Sequence, residues 1–209
     1  MNNLARYKNL LESKNIKLWK SLNQYNLPSS WPNRHLPEIL FIGASNAGKS
    51  TLINNLSGEK ICKTSKKPGH TKKLNLISLN EQLLLIDSPG YGYKSNEEWG
   101  QLVNYCFDES TKLKQIYLLI NSKRKLNYID ELMLENLKSY KIPIQLVLTK
   151  GDKCKEFKDR NSVSVSELVN GMNWRLIKNT CNKEAIVTSK DFKHGGIDLL
   201  KSNIIDQID

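Results

Sequence analysis

Short apolar runs alternate along this chain with segments whose apolar residues recur every three or four positions. The runs near 39–43, 73–79, 82–87, 115–120, 143–149 and 185–188 read as strands. The periodic segments 50–57, 97–112, 128–140, 164–180 and 196–206 read as helices. Strands 73–79 and 82–87 are close enough to form a hairpin across Asn80. This alternation predicts an α/β fold of three αβα layers around a mostly parallel six-stranded sheet, with the hairpin strand its one antiparallel member. In such a sheet, ligands bind at the carboxyl ends of the strands.

Residues 1–37 precede this core, which is expected to span 38–209. Leu4, Tyr7, Leu11, Leu18, Leu22 and Tyr25 fall at helical spacing, with Arg6, Lys8, Lys14, Lys17 and Lys20 between them. That pattern predicts a basic amphipathic helix, and Pro28, Pro32 and Pro37 mark a linker into the core. No internal repeat is visible, and no apolar run approaches the ~18 residues of a membrane span.

The chain has 209 residues, 25% of them charged, which suits one globular domain with an extension. Its formal net charge of +11 favours an anionic partner larger than a nucleotide, such as RNA or a ribosome. Lysines far outnumber arginines, so part of this excess reads as coding bias. Cys62, Cys106, Cys154 and Cys181 are scattered without a C-x-x-C, and His35, His70 and His194 are equally dispersed. Reduced thiols in an intracellular compartment are expected, with neither a disulfide frame nor a zinc cluster.

Four segments carry the chemistry. Gly43-Ala44-Ser45-Asn46-Ala47-Gly48-Lys49-Ser50, followed by Thr51, fits the phosphate-loop pattern G-x-x-x-x-G-K-[ST] between a strand and a helix. Its glycines let backbone N–H groups approach phosphate oxygens, and the helix N-terminus adds its positive dipole end. Lys49 is expected to reach the β/γ-phosphates, and Ser50 to bind Mg²⁺. Asp87-Ser88-Pro89-Gly90 ends an apolar strand in D-x-x-G, where a phosphate-loop protein holds Mg²⁺ and meets a γ-phosphate. Thr149-Lys150-Gly151-Asp152 ends another strand as T-K-x-D. The Asp152 carboxylate can accept from N1–H and the exocyclic amine of guanine, a donor pair that adenine lacks, so GTP is expected over ATP. Val187-Thr188-Ser189 closes the last strand, with the Ser189 backbone near the guanine oxygen. In this order the segments are those of a small GTPase domain with a phosphate-loop NTPase fold.

From Leu36 to Leu200 the residues resemble the EngB/YihA-type GTP-binding proteins, within the TrmE-Era-EngA-EngB-Septin-like GTPases. Pro37-Glu38 leads into the first strand and loop as in that family. Thr64-Ser65-Lys66 and Pro68-Gly69-His70-Thr71 resemble its switch I, and Asp87-Ser88-Pro89-Gly90-Tyr91-Gly92-Tyr93 its switch II. Trp99-Gly100 with Tyr105 resembles the helix that follows, and Thr149-Lys150-Gly151-Asp152-Lys153 the guanine motif. His70, Lys72, Asn121 and Ala44 depart from its usual Arg, Gln, Asp and Arg. The resemblance implies GTP hydrolysis and a role in assembly of the large ribosomal subunit. It also implies residence in the cytoplasm of a bacterium or in the mitochondrial or plastid matrix of a eukaryote.

Gly69, His70, Thr71, Lys72 and Lys73 are therefore expected at the nucleotide. Ser50 and Thr71 are expected to ligate Mg²⁺, with Asp87 holding it through water. Lys49, Thr71 and Gly90 are the expected catalytic set. Tyr91 stands where Ras-type proteins carry a water-orienting Gln, so intrinsic hydrolysis is expected to be slow. Asn46 is expected beside a K⁺ next to the phosphates. Lys60, Lys63, Lys66, Lys67, Lys72, Lys73, Tyr93 and Lys94 are expected to face rRNA of the large subunit or its precursor. Two alternatives stay open: a GTPase of tRNA modification or translation, and an RNA-binding module whose nucleotide site does not hydrolyse. A single set of motifs makes a monomer the default expectation.

Overall fold

A strand that is covered on both faces must be apolar at nearly every position. That is how the central runs of this chain behave in a computed structural model, which describes residues 15–32, 35–64, 73–92, 97–124, 126–158, 160–168, 174–189 and 196–208. Strands β2 (Glu38–Gly43), β4 (Leu83–Asp87) and β6 (Ile144–Thr149) are buried end to end. Strands β5 (Leu113–Asn121) and β8 (Glu184–Val187) are buried through their centres. These five pair in parallel, in the order β4-β2-β5-β6-β8.

Strand β3 (Leu74–Leu79) runs antiparallel to β4 through a tight turn. Asn80 and Glu81 both adopt left-handed backbone there (φ 53° and 56°), and Gln82 N–H donates to the Leu79 carbonyl at 3.0 Å. Two left-handed central residues match the strand twist, and Asn tolerates that conformation best after Gly.

The sheet carries eight strands, two beyond the six that the sequence predicts. Strand β1 (Ile16–Leu22) adds antiparallel to the outer edge of β3, and β7 (Ser162–Ser164) antiparallel to β8. Over 16–22 the predicted helix is replaced by this strand, and residues 1–14 lie outside the described set. Its pairing with β3 carries a register shift between Leu18 and Lys20. The extra residue moves Leu22 to the buried face opposite the exposed Leu18, so the two leucines that helical spacing groups on one face are separated in the strand. At the start of the predicted helix 164–180, Val163 and Val165 alternate with serines, a strand pattern, and a 3₁₀ turn follows at Val165–Leu168.

Helices cover both faces. On one side α2 (Glu97–Glu109), α3 (Tyr128–Lys138) and α4 (Trp174–Thr180) pack through Leu102, Cys106, Leu134, Leu137 and Ile177 on Leu40, Ile42, Leu118, Ile120 and Leu148. On the other, α1 (Lys49–Ser57) and α5 (Ile197–Ile208) pack through Ile53, Leu56, Leu200 and Ile204 on Phe41, Leu85, Tyr117 and Leu119. Among the described residues no helix is long and apolar enough to cross a membrane.

The linker before β2 is tied to this core by one buried carboxyl group. Glu38 is fully buried, accepts from the Trp31 indole N–H at 2.6 Å, and takes the Ser110 hydroxyl on its other oxygen. The Tyr105 hydroxyl of α2 donates to the Pro28 carbonyl at 2.9 Å. Trp31→Phe, which keeps a ring but strips the donor from a buried acceptor, should cost about 1–3 kcal/mol. Urea denaturation should register this as a lower midpoint at an unchanged slope.

Candidate functional site

The parallel strands end together, and the phosphate loop, Asp87–Gly90, Thr149–Asp152 and Val187–Ser189 all lie at that edge. Register sets this directly: Phe41 pairs with Asp87, Gly43 with Leu119, Asn121 with Thr149 and Leu148 with Val187.

Gly43 closes β2 where space is short, since a methyl there would lie 2.6 Å from the Leu119 carbonyl oxygen. The chain then loops from Ala44 to Gly48. Asn46 (φ 64°) and Gly48 (φ 99°) take left-handed backbone and turn it into α1. No side chain caps that helix, so N–H groups of its first turn keep their capacity for a ligand. Lys49 is 6% exposed and donates to the carbonyls of Gly43 (2.8 Å) and Ala44 (3.2 Å). Burial lowers its pKa to about 8, against the opposing pull of Asp87. Thr51, the third residue of the helix, is exposed.

The Ser50 hydroxyl donates to Asp87 Oδ2 at 2.8 Å. Asp87 Oδ1 is buried and has no hydrogen-bond partner. Burial pushes the Asp87 carboxyl up, while Lys49, Ser50 and the Cys62 thiol pull it down. A buried carboxylate with a spare oxygen beside a hydroxyl is a hard donor set, which fits Mg²⁺. Cys62 is fixed next to it by Asn54 on α1: Cys62 N–H donates to Asn54 Oδ1 (2.7 Å), and Asn54 Nδ2 to the Cys62 carbonyl (2.9 Å). No sequence motif pointed to this clamp.

After Asp87 the chain is pinned to the phosphate loop. Ser88 N–H donates to Phe41 (3.3 Å), Tyr91 N–H to Gly43 (3.3 Å), and Ser45 N–H to Tyr91 (3.0 Å), all at carbonyls. The Trp99 indole holds the Pro89 carbonyl at 2.9 Å. Tyr91 is 2% exposed, and its hydroxyl donates to Asp130 Oδ1 at 2.5 Å. Arg124 meets the same oxygen at 2.7 Å, and Asp130 Oδ2 accepts from Asn127 N–H within the cap of α3. This anchor too left no trace in the sequence, because its partners lie 33 and 39 residues from Tyr91.

On the base side the Thr149 hydroxyl donates to the Ala47 carbonyl at 2.5 Å, and Lys150 Nζ to the Asn46 carbonyl at 2.9 Å. Ser122 supports the turn through its N–H to Thr149 (2.9 Å) and its hydroxyl to the Lys150 carbonyl (2.7 Å). Gly151 N–H donates to Thr188 at 2.9 Å, and the site is tight, since a methyl there would lie 2.6 Å from Val187 Cγ1. Asp152 is half-buried on the 3₁₀ turn Gly151–Lys153, and Ser189 lies beside that turn at the end of β8. Of the remaining candidates, Lys60, Lys63 and Lys73 are exposed. Ser65, Lys66, Lys67, Pro68, Gly69, His70, Thr71, Lys72, Tyr93 and Lys94 lie outside the described residues.

Gly90→Ala would force the D-x-x-G segment off the phosphate loop, because the added methyl would lie 2.6 Å from Ser45 Cα. Without nucleotide, it should lose about 1–3 kcal/mol in urea denaturation, the usual cost of overpacking.

Known proteins share this arrangement. A family model described as a 50S ribosome-binding GTPase matches residues 38–150. The probable GTP-binding protein EngB of Thermosipho africanus is 33% identical over 173 residues, covering 80% of this chain and 88% of that protein. Its counterpart in Prosthecochloris aestuarii is 42% identical over 131 residues, 60% of this chain and 68% of that one. Among solved structures, a probable GTP-binding protein engB aligns with TM-score 0.58 at 27% identity, over 82% of this chain and 98% of its own. Era, solved with MgGDPNP and a 16S ribosomal RNA fragment, shares the fold with TM-score 0.62 at 24% identity, over 84% of this chain and 58% of its own. With the phosphate loop, D-x-x-G and guanine turn meeting at one sheet edge, the chain belongs to the EngB family of GTP-binding proteins and is a GTPase.

Proposed function

We propose that this chain is a slow, nucleotide-controlled switch that binds the large ribosomal subunit or its precursor during assembly. The observation that carries the switch is Asp87. One of its oxygens accepts from Ser50, the other is buried without a hydrogen-bond partner, and the D-x-x-G segment that follows lies against the phosphate loop. Ser50 and Asp87 would hold Mg²⁺, together with Thr71, and the ion would offset charge on the phosphates. Backbone N–H groups of the phosphate loop would cradle the phosphates, and Gly90 N–H would meet the γ-phosphate. Loss of that phosphate would free the segments it tethers and remove a binding surface.

Slow turnover is supported by Tyr91. Its hydroxyl is spent on Asp130 inside the core, so the position after D-x-x-G has no carboxamide to orient an attacking water. The ribosomal partner is supported by the 50S ribosome-binding description of the matching family, by the net charge of +11, and by the exposed Lys60, Lys63 and Lys73.

Sedimentation with ribosomal subunits should carry the protein into the large-subunit fractions with a non-hydrolysable GTP analogue and not with GDP. Equal migration in both states would remove the switch, and no migration in either would remove the ribosomal partner. Asp152→Ala should erase the preference for GTP over ATP, a loss of about a hundredfold or more read by competition binding.

A further inference from the structure

Gly90 roofs one side chain of the phosphate loop. A methyl on Gly90 would lie 2.6 Å from Ser45 Cα, 2.7 Å from its nitrogen and 2.8 Å from its Oγ. The Ser45 hydroxyl beneath is shielded from water and has no hydrogen-bond partner. The Ser45 backbone N–H is already committed to the Tyr91 carbonyl at 3.0 Å. Of the donors this residue owns, only the hydroxyl is left for a ligand.

A shielded hydroxyl without a partner is unfavourable, and alanine would fill nearly the same space without that penalty. The hydroxyl therefore makes physical sense as half of a bond completed by a ligand. Of the described residues, only Asp87, Gln24 and Gln115 also carry buried, unpartnered side-chain polar atoms. Asp87 Oδ1 belongs to the same cleft but is an acceptor suited to a cation. Gln115 lies near the start of β5, at the opposite end of the sheet, and Gln24 lies in the linker before β2. Ser45 thus holds an uncommitted side-chain hydroxyl donor within the phosphate loop, against the segment read above as the one that meets the terminal phosphate.

We propose that the Ser45 hydroxyl reads the γ-phosphoryl group, donating a hydrogen bond that a triphosphate completes and a diphosphate does not. This rests on the reading of Asp87–Gly90 as the γ-phosphate segment. N–H groups of the loop and of the first turn of α1 would serve both nucleotides alike. Ser45 would then separate them, and its contact with Gly90 makes it a positioning residue for the D-x-x-G segment.

The test is titration of the full chain, in Mg²⁺, with fluorescent GDP and with a fluorescent non-hydrolysable GTP analogue. Ser45→Ala should weaken the analogue about tenfold and change GDP by less than about twofold, the worth of one hydrogen bond to a charged acceptor. Ser45→Gly should repeat that selective loss if the alanine variant melts early. Equal weakening of both nucleotides, or none of either, overturns the role of Ser45. Gly90→Ala, measured alongside, separates the two levels. If it lowers the analogue-to-GDP ratio while Ser45→Ala does not, the segment reading stands and the hydroxyl is excluded. If neither variant moves the ratio, the segment reading fails and takes the proposal with it.

Discussion

The cleft depends on a hydrogen-bond register. Five strands run the same way and end on one edge because β4, β2, β5, β6 and β8 pair in parallel. Their pairing register sets where each strand ends and its loop begins. The phosphate loop, Asp87, Thr149–Asp152 and Ser189 are far apart in the chain, and that shared edge gathers them. Backbone crowding sharpens the constraint, since Gly43 and Gly90 stand where a methyl would lie 2.6 Å from a neighbouring backbone atom.

Around this edge the protein binds its own loops before any nucleotide is considered. Thr149 and Lys150 hold the carbonyls of Ala47 and Asn46, Tyr91 exchanges backbone bonds with Gly43 and Ser45, and Lys49 folds back on Gly43. Such bonds fix the cradle in advance and reduce the ordering cost of binding. Thr149 is instructive here. In sequence it is the first residue of a base-reading motif, yet its hydroxyl bonds the phosphate loop. Base side and phosphate side are thus tied directly, without the ligand as intermediary.

The sheet edges follow another logic. Strand β1 covers β3, which would otherwise present a row of unpaired backbone groups to water. The segment between β1 and β2 is then drawn onto α2 by Trp31, Glu38, Ser110 and Tyr105. Since α2 follows the D-x-x-G segment, and Trp99 on it holds the Pro89 carbonyl, the linker and the switch share one helix.

The sequence by itself determined the fold class, the nucleotide, and the order of the site. Glycine spacing, strand-terminal carboxylates and apolar runs are local chemistry, and local chemistry is written in neighbouring residues. It misjudged 16–22, where two strand leucines happen to stand at helical spacing, and 164–168, where the end of a short edge strand and a 3₁₀ turn precede the helix. Tertiary structure alone decided which side chain meets which. Tyr91 reaching Asp130, Asn54 clamping Cys62, Ser122 supporting the guanine turn and Ser45 lying under Gly90 all join residues whose spacing follows no rule. Such pairs form only once the strands have closed, because the distance between them is set by the width of the sheet and not by the length of chain that connects them.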